Sequence, residues 1–154
     1  MRRVEKEIKN RAEIDAVIRR SRVCHLGLSD EGLPYVVPLC FGYDGQVLYF
    51  HCAQEGRKLN ILRRNNKVCF AFDILEGMIE ADQGCSWGIR YQSVIGYGTA
   101  HLVEDIAEKQ HAVTLLMAQY SPRTFSFPPE IVSRTAVVRI EIESLTGKQS
   151  KQEE

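Results

Sequence analysis

Residues 34–70 read PYVVPLCFGYDGQVLYFHCAQEGRKLNILRRNNKVCF, and this stretch decides the fold. With Leu33 it opens as a strand, LPYVVPLCFGY (33–43), that carries Pro34 and Pro38. Proline has no N–H to give a ladder, so this strand is expected at a sheet edge or at a bulge. Asp44-Gly45 is a hairpin turn signal, and QVLYFH (46–51) follows as a strand. Gly56-Arg57-Lys58 then opens a short helix with Leu59 and Leu62 inward and Arg63 and Arg64 outward. KVCFAFD (67–73) alternates as the next strand. Hairpin-linked strands with one short helix argue for antiparallel sheet and against βαβ alternation.

Outward from this stretch, Asn10 and Glu13 form a capping-box pattern ahead of a helix over 11–20. VCHLGL (23–28) reads as a strand and SDEG (29–32) as its turn. Residues 74–88 show no periodicity and read as irregular. RYQSVIGYGTAHLV (90–103) is a long strand whose Gly96 and Gly98 point to a bulge or bend. Residues 104–120 form the clearest helix, with Ile106, Val113, Leu116, Met117 and Tyr120 on one face. A loop spans 122–129, and TAVVRIEIESL (135–145) alternates cleanly. Residues 144–154, ending in GKQSKQEE, read as a frayed tail. The fold class is mainly β: a small β-barrel with helices, in a single domain over 1–154.

The chain has 154 residues, 44% hydrophobic and 26% charged, with twenty basic residues against twenty acidic ones. A balanced charge gives no general pull toward nucleic acid or an anionic membrane. The start, MRRVEKEIKNR, lacks the apolar core of a secretory signal, and no apolar run is long enough to span a bilayer. Five cysteines with no CxxC read as reduced thiols, so a cytoplasmic location is expected.

Three chemistries compete for the Tyr49–Asn60 segment. Metal binding is disfavoured, because Cys24-His25 and His51-Cys52 are adjacent pairs. On a strand their side chains point to opposite faces, so no metal site is expected. A reactive Cys52 thiolate is conceivable beside His51, Arg57 and Lys58, whose positive charge would lower a thiol pKa. The third chemistry is anion binding. Gly56 lets a ligand approach the backbone, and Arg57 and Lys58 stand at a helix start whose free N–H groups favour a phosphate. The plain alternative is a solvated basic helix start. The two-proline strand adds a place where a planar ring could use exposed backbone groups, or it is an edge shielded from aggregation.

Taken in order, PYVVPL, YFH-x-A-x-x-GRK, CSW, RYQSVIGYG and the terminal LTGK resemble the pyridoxamine 5′-phosphate oxidase-like superfamily, in the branch related to nitroimidazole resistance. The resemblance spans nearly the whole chain. It implies an FMN-binding split β-barrel and a homodimer with FMN at the interface. Carried over by position, Pro34, Tyr35, Val36, Val37, Pro38 and Leu39 would line the isoalloxazine. His51 and Cys52 would touch the cofactor, and Arg57 and Lys58 would hold its phosphate. Gln92 and Ser93 would reach the flavin or phosphate from the second subunit, and Trp87 would sit near the pocket. No further basic set matches a pyridoxal phosphate substrate, so vitamin B6 oxidation is not expected. Cys40 stands where relatives carry asparagine. The implied function is an FMN-dependent oxidoreductase reducing a small nitroaromatic, with His51 as proton donor or substrate-orienting group. The alternatives are a non-catalytic flavin-binding or redox-sensing protein, and a haem-binding relative.

Overall fold

The computed structural model describes residues 3–150. Eight strands form one antiparallel sheet: β1 (Glu7–Ile8), β2 (Cys24–Asp30), β3 (Leu33–Leu39), β4 (Gly42–Tyr43), β5 (Val47–Cys52), β6 (Lys67–Ile79), β7 (Gly88–Val103) and β8 (Ala136–Gln149). Four helices accompany them: α1 (Arg11–Arg20), α2 (Arg57–Arg64), α3 (Ile106–Tyr120) and α4 (Pro129–Ser133). The strand order is β3-β2-β6-β7-β8-β5-β4, with β1 added to β8.

The two edge strands of that path, β3 and β4, are separated in the chain only by Cys40 and Phe41. So short a link forces the edges together, and the sheet curls into a barrel that is split along this seam. Phe41 fills the interior there, 4.8 Å from the ring of Phe72. Leu26, Leu48, Phe50, Phe70, Val94 and Ile140 complete a dry centre. Both prolines lie on edge strand β3, as their missing N–H groups require.

Helix α1 occupies the span expected of it. Asn10 caps it, its side-chain oxygen accepting from the Ala12 N–H at 2.8 Å. Ile14, Val17 and Ile18 are its buried stripe. The glycine pair in β7 marks a bulge, although the extra residue, Glu143, sits on β8: Tyr97 pairs with Ser144 and Gly98 with Ile142. A Cβ on Gly98 would lie 2.4 Å from the Glu141 carbonyl oxygen, which explains the glycine.

The structure corrects several expectations. Residues 33–43 are two strands, broken at the seam. Residues 74–88 are not irregular throughout: β6 continues to Ile79 and pairs with β7 back from Gly88. Beyond Ile74 that segment pairs with no third strand and packs little against the core, so it lacks the alternation that marks a half-buried strand. The tail does not begin at 144. Strand β8 runs to Gln149, held by β7 on one side and by β1 at Gly147 and Lys148. Gly147 is buried against Ile8 and Ile14, and of the expected tail 151–154 lie outside the described residues. The expected loop at 122–129 yields to α4 at Pro129. On α3 the buried residues are Lys109, Ala112 and Leu116, and Ile106 is exposed. The Lys109 ammonium donates to the carbonyls of Ser133 and Thr135, which ties the α4–β8 turn to the helix. Among the described residues no helix is long and apolar enough to cross a membrane.

Candidate functional site

Strand β3 alternates. Tyr35, Val37 and Leu39 are half-buried and pack on the core, whereas Pro34, Val36 and Pro38 are exposed. The six residues therefore offer one outward apolar row and a free strand edge. Strand β5 ends at His51 and Cys52, paired with Val137 and Ala136 of β8. His51 is exposed, and its side chain hydrogen-bonds to none of the described residues.

From the end of β5 the chain turns through Gly56, at φ +139°, into α2. Few side chains tolerate that conformation, and a Cβ there would meet nothing within 4 Å. The position is thus open to solvent as well as glycine-adapted. No side chain caps the start of α2. Its first N–H groups face outward without a side-chain acceptor, which is the arrangement an anion uses.

Two contacts fix the basic pair. The Arg57 guanidinium lies 4.6 Å from the centroid of the Tyr35 ring. The Lys58 ammonium lies 4.9 Å from the centroid of Phe50. The first joins α2 to β3 and the second joins it to β5. At the other end of α2, Arg64 pairs with Asp30, and Asn65 donates to the Ser29 carbonyl. The helix is thereby pinned between the β2–β3 hairpin and the exit of β5. These contacts join Tyr35, Phe50, Arg57 and Lys58, with Cys52 near Lys58 and His51 next to it on β5.

Cys52 is not an activated thiol. Burial pushes its pKa above the ordinary value, and the nearby Lys58 charge only partly offsets the shift. Burial here disfavours the thiolate that a nucleophile needs. No cluster of three or more histidine, cysteine or acidic groups suited to a metal occurs among the described residues.

Gln92 and Ser93 lie far along the sheet from His51 but near Pro38, whose partner His25 sits beside Asp73, opposite Ser93. On β7 they pair with Gln149 and Lys148, while His51 pairs with Val137. Val137 and Gln149 lie twelve residues apart on β8, about 40 Å measured along the strand. Gln92 instead accepts from Arg20, which also pairs with Glu76. Ser93 stands opposite Asp73, whose carboxylate is 3.5 Å from His25 Nδ1. Arg20, Arg22, His25 and Asp73 line a cleft of about 300 Å³ here. Trp87 is close by in sequence, exposed, and equally remote from His51. Sequence reasoning missed Arg20, His25 and Asp73. Their partners lie dozens of residues away, so no local spacing marks them.

The pyridoxamine 5′-phosphate oxidase family profile matches residues 10–149, and the chain belongs to this family. It is 35% identical to a candidate 5-nitroimidazole antibiotic resistance protein of Bacteroides thetaiotaomicron, covering 93% of this chain and 86% of that one, with a TM-score of 0.83. The flavocytochrome Anf3 of Azotobacter vinelandii superposes with a TM-score of 0.84 at 22% identity, over 99% of this chain and 72% of its own. An FAD and haem binding protein of Mycobacterium smegmatis does so at 0.83 and 19% identity, over 96% and 74%. These two share the fold. No curated protein sequence matches the chain. The barrel is therefore the split barrel of this family.

Proposed function

We propose that this chain is an FMN-binding flavoprotein that acts as a homodimer and reduces small nitroaromatic or related compounds. One observation carries the reading: a proline-bearing edge strand lies beside an uncapped helix start whose first residues are Arg57 and Lys58. Open space over Gly56 leaves room for an anion. A planar guanidinium, an ammonium and free backbone N–H groups together suit a phosphate.

In this reading Arg57 and Lys58 hold the FMN phosphate. Residues Pro34–Leu39 flank the ring system, and His51 and Cys52 border it. Gln92 and Ser93 complete the site from a second copy, because their own chain keeps them at the far end of β8. FMN, when bound, supplies the electron chemistry, and the chain supplies position and a proton. His51 has both ring nitrogens free of protein partners among the described residues. An imidazole placed there can act as a general acid toward a substrate as it is reduced. Likeness to the Bacteroides protein supports the substrate class.

The test is an absorption spectrum of purified protein after FMN loading and desalting, followed by reoxidation of the reduced protein with a nitroaromatic. Near-stoichiometric retained flavin and accelerated reoxidation support the proposal. Retained flavin without turnover favours a flavin carrier or sensor. A haem Soret band with no flavin would overturn the reading in favour of the chemistry named for the two distant neighbours.

A further inference from the structure

Several segments converge at the end of the barrel where β5 stops. The end of β7 brings Leu102, Val103 and Glu104, the start of β8 brings Ala136 with Thr135 before it, and α3 brings Lys109. Gln54 comes from the turn after β5, and Arg63 from the last turn of α2. Together they line a cleft of about 500 Å³. The Gln54 amide donates to the Arg134 carbonyl at 2.8 Å, which ties that turn to the start of β8. The cleft is set apart from the start of α2. Arg63 lies about 9 Å along the helix from Arg57 and on a different side of it.

Lys109 is the one charged side chain among the buried described residues, at 9% exposed. Its ammonium donates to the carbonyls of Ser133 and Thr135 at 3.4 and 2.9 Å. Those bonds use two of its three N–H groups. They hold the turn but do not neutralise the charge. Arg63, at the exposed rim, donates to the Asn60 side chain. Among the described residues neither cation has a carboxylate within ion-pairing distance. A buried cation without a counter-charge is costly. The wall of the cleft thus keeps a spare donor and an unbalanced positive charge.

We propose that this cleft binds a small organic monocarboxylate with an apolar body, its carboxylate held by Lys109 and Arg63. The inference stands apart from the flavin reading and does not rest on it. Three features select this class of ligand. First, two cations against the single carboxylate of Glu104 leave one net positive charge in the lining. A monoanion balances that charge, whereas a phosphate monoester, at about −1.5 to −2, exceeds it. Second, the Arg63 guanidinium is a planar fork that matches a carboxylate. Third, Leu102, Val103 and Ala136 give the cleft an apolar wall, and Leu102 is exposed there. Binding would relieve the cost of burying the Lys109 charge while covering that wall.

Benzoate is the probe, titrated by calorimetry into the full-length protein as purified. Benzamide serves as its uncharged isostere and inorganic phosphate as the more highly charged anion. Saturable benzoate binding is expected, with benzamide and phosphate much weaker. Arg63→Gln should weaken benzoate roughly tenfold or more, the effect of losing one charge-assisted contact. Glu104→Gln should strengthen benzoate and narrow its lead over phosphate, because a charge of the ligand's own sign is removed. Lys109→Met should abolish binding. Should that variant not fold, the two others decide, since Arg63 and Glu104 are exposed. Arg57→Ala combined with Lys58→Ala should leave benzoate affinity unchanged, which separates this cleft from the start of α2. Absence of saturable benzoate binding overturns the inference, as does equal affinity for benzamide. Affinity that ignores both Arg63→Gln and Glu104→Gln overturns it as well. Affinity lost with the Arg57 and Lys58 pair but kept in Arg63→Gln would assign the carboxylate to the start of α2. That result overturns the inference and leaves the flavin reading intact.

Discussion

The guanidinium of Arg57 rests 4.6 Å above the ring of Tyr35, and this contact couples the first residue of α2 to the edge strand β3. A cation over an aromatic face is held in place while its N–H edge stays free to donate. The donor set is thus positioned before any ligand arrives, which lowers the ordering cost of binding.

On the proposed reading, Lys58→Ala removes one charge-assisted contact to the FMN phosphate. We expect about 1.5–3 kcal/mol of lost FMN affinity, or roughly 10- to 150-fold in Kd. Arg57→Lys keeps the charge but loses the planar fork and the contact with Tyr35, so it should also weaken FMN, though less than Arg57→Ala. Flavin fluorescence titration measures all three. Unchanged Kd values would place the phosphate elsewhere.

His51→Ala separates catalysis from cofactor binding. The imidazole is exposed at the end of β5, and on the proposed reading the phosphate is held by Arg57 and Lys58 instead. A proton-donor role predicts a fall in kcat of about 10²-fold or more, with FMN affinity changed far less. Steady-state nitroaromatic reduction and an FMN titration on the same sample decide it. Equal losses in both would reduce His51 to a cofactor contact.

Much of the fold was legible because its signals are local. The cap at Asn10, the Asp44-Gly45 turn, the two prolines of β3 and the glycine-opened α2 each depend on neighbours a few residues away. The β6–β7 arm and the end of β8 were not legible, because their order comes from cross-strand pairing. Gly77 lies in the stretch without periodicity and Gly147 in the expected tail, yet one accommodates Arg90 and the other lets β8 close over Ile8 and Ile14. At the candidate site, the Arg57–Lys58 pair is named by the sequence, but the Arg57–Tyr35 contact is not. Nor does the sequence show that Gln92 and Ser93 stand at the opposite end of β8 from His51.

Gly98→Ala should destabilise the barrel. A methyl group there would meet the Glu141 carbonyl oxygen at 2.4 Å and the Ile140 side chain at 2.8 Å, next to the bulge at Glu143. Backbone cannot rotate away as a flexible side chain can. We expect about 1–3 kcal/mol of lost stability and a fall in Tm of roughly 2–10 °C. Gly84→Ala is the control, since a Cβ there meets nothing within 4 Å. Thermal melts showing equal Tm for the two variants would contradict the packing account of the bulge.

Alkaline pH should unfold the protein in a defined order. Burial pushes the Cys24 thiol from 9.0 up to about 12. Burial likewise raises Tyr43, Tyr49 and Tyr120 from 10.0 to about 12. Each group is neutral when protonated, so above its ordinary pKa the unfolded chain loses protons that the folded chain keeps. Stability contributed by these groups is therefore fully present below pH 9 and declines as pH rises toward 12. Cys24 is the first to act, with a slope of about 1.4 kcal/mol per pH unit. The tyrosines steepen the decline beyond pH 10. Urea melts at pH 8, 9, 9.5 and 10 test this against Cys24→Ala. That variant should be less stable at pH 8 through lost packing, yet show a shallower decline from pH 9 to 10. Parallel curves for the two proteins across that interval would mean that Cys24 is not the group whose burial resists ionisation.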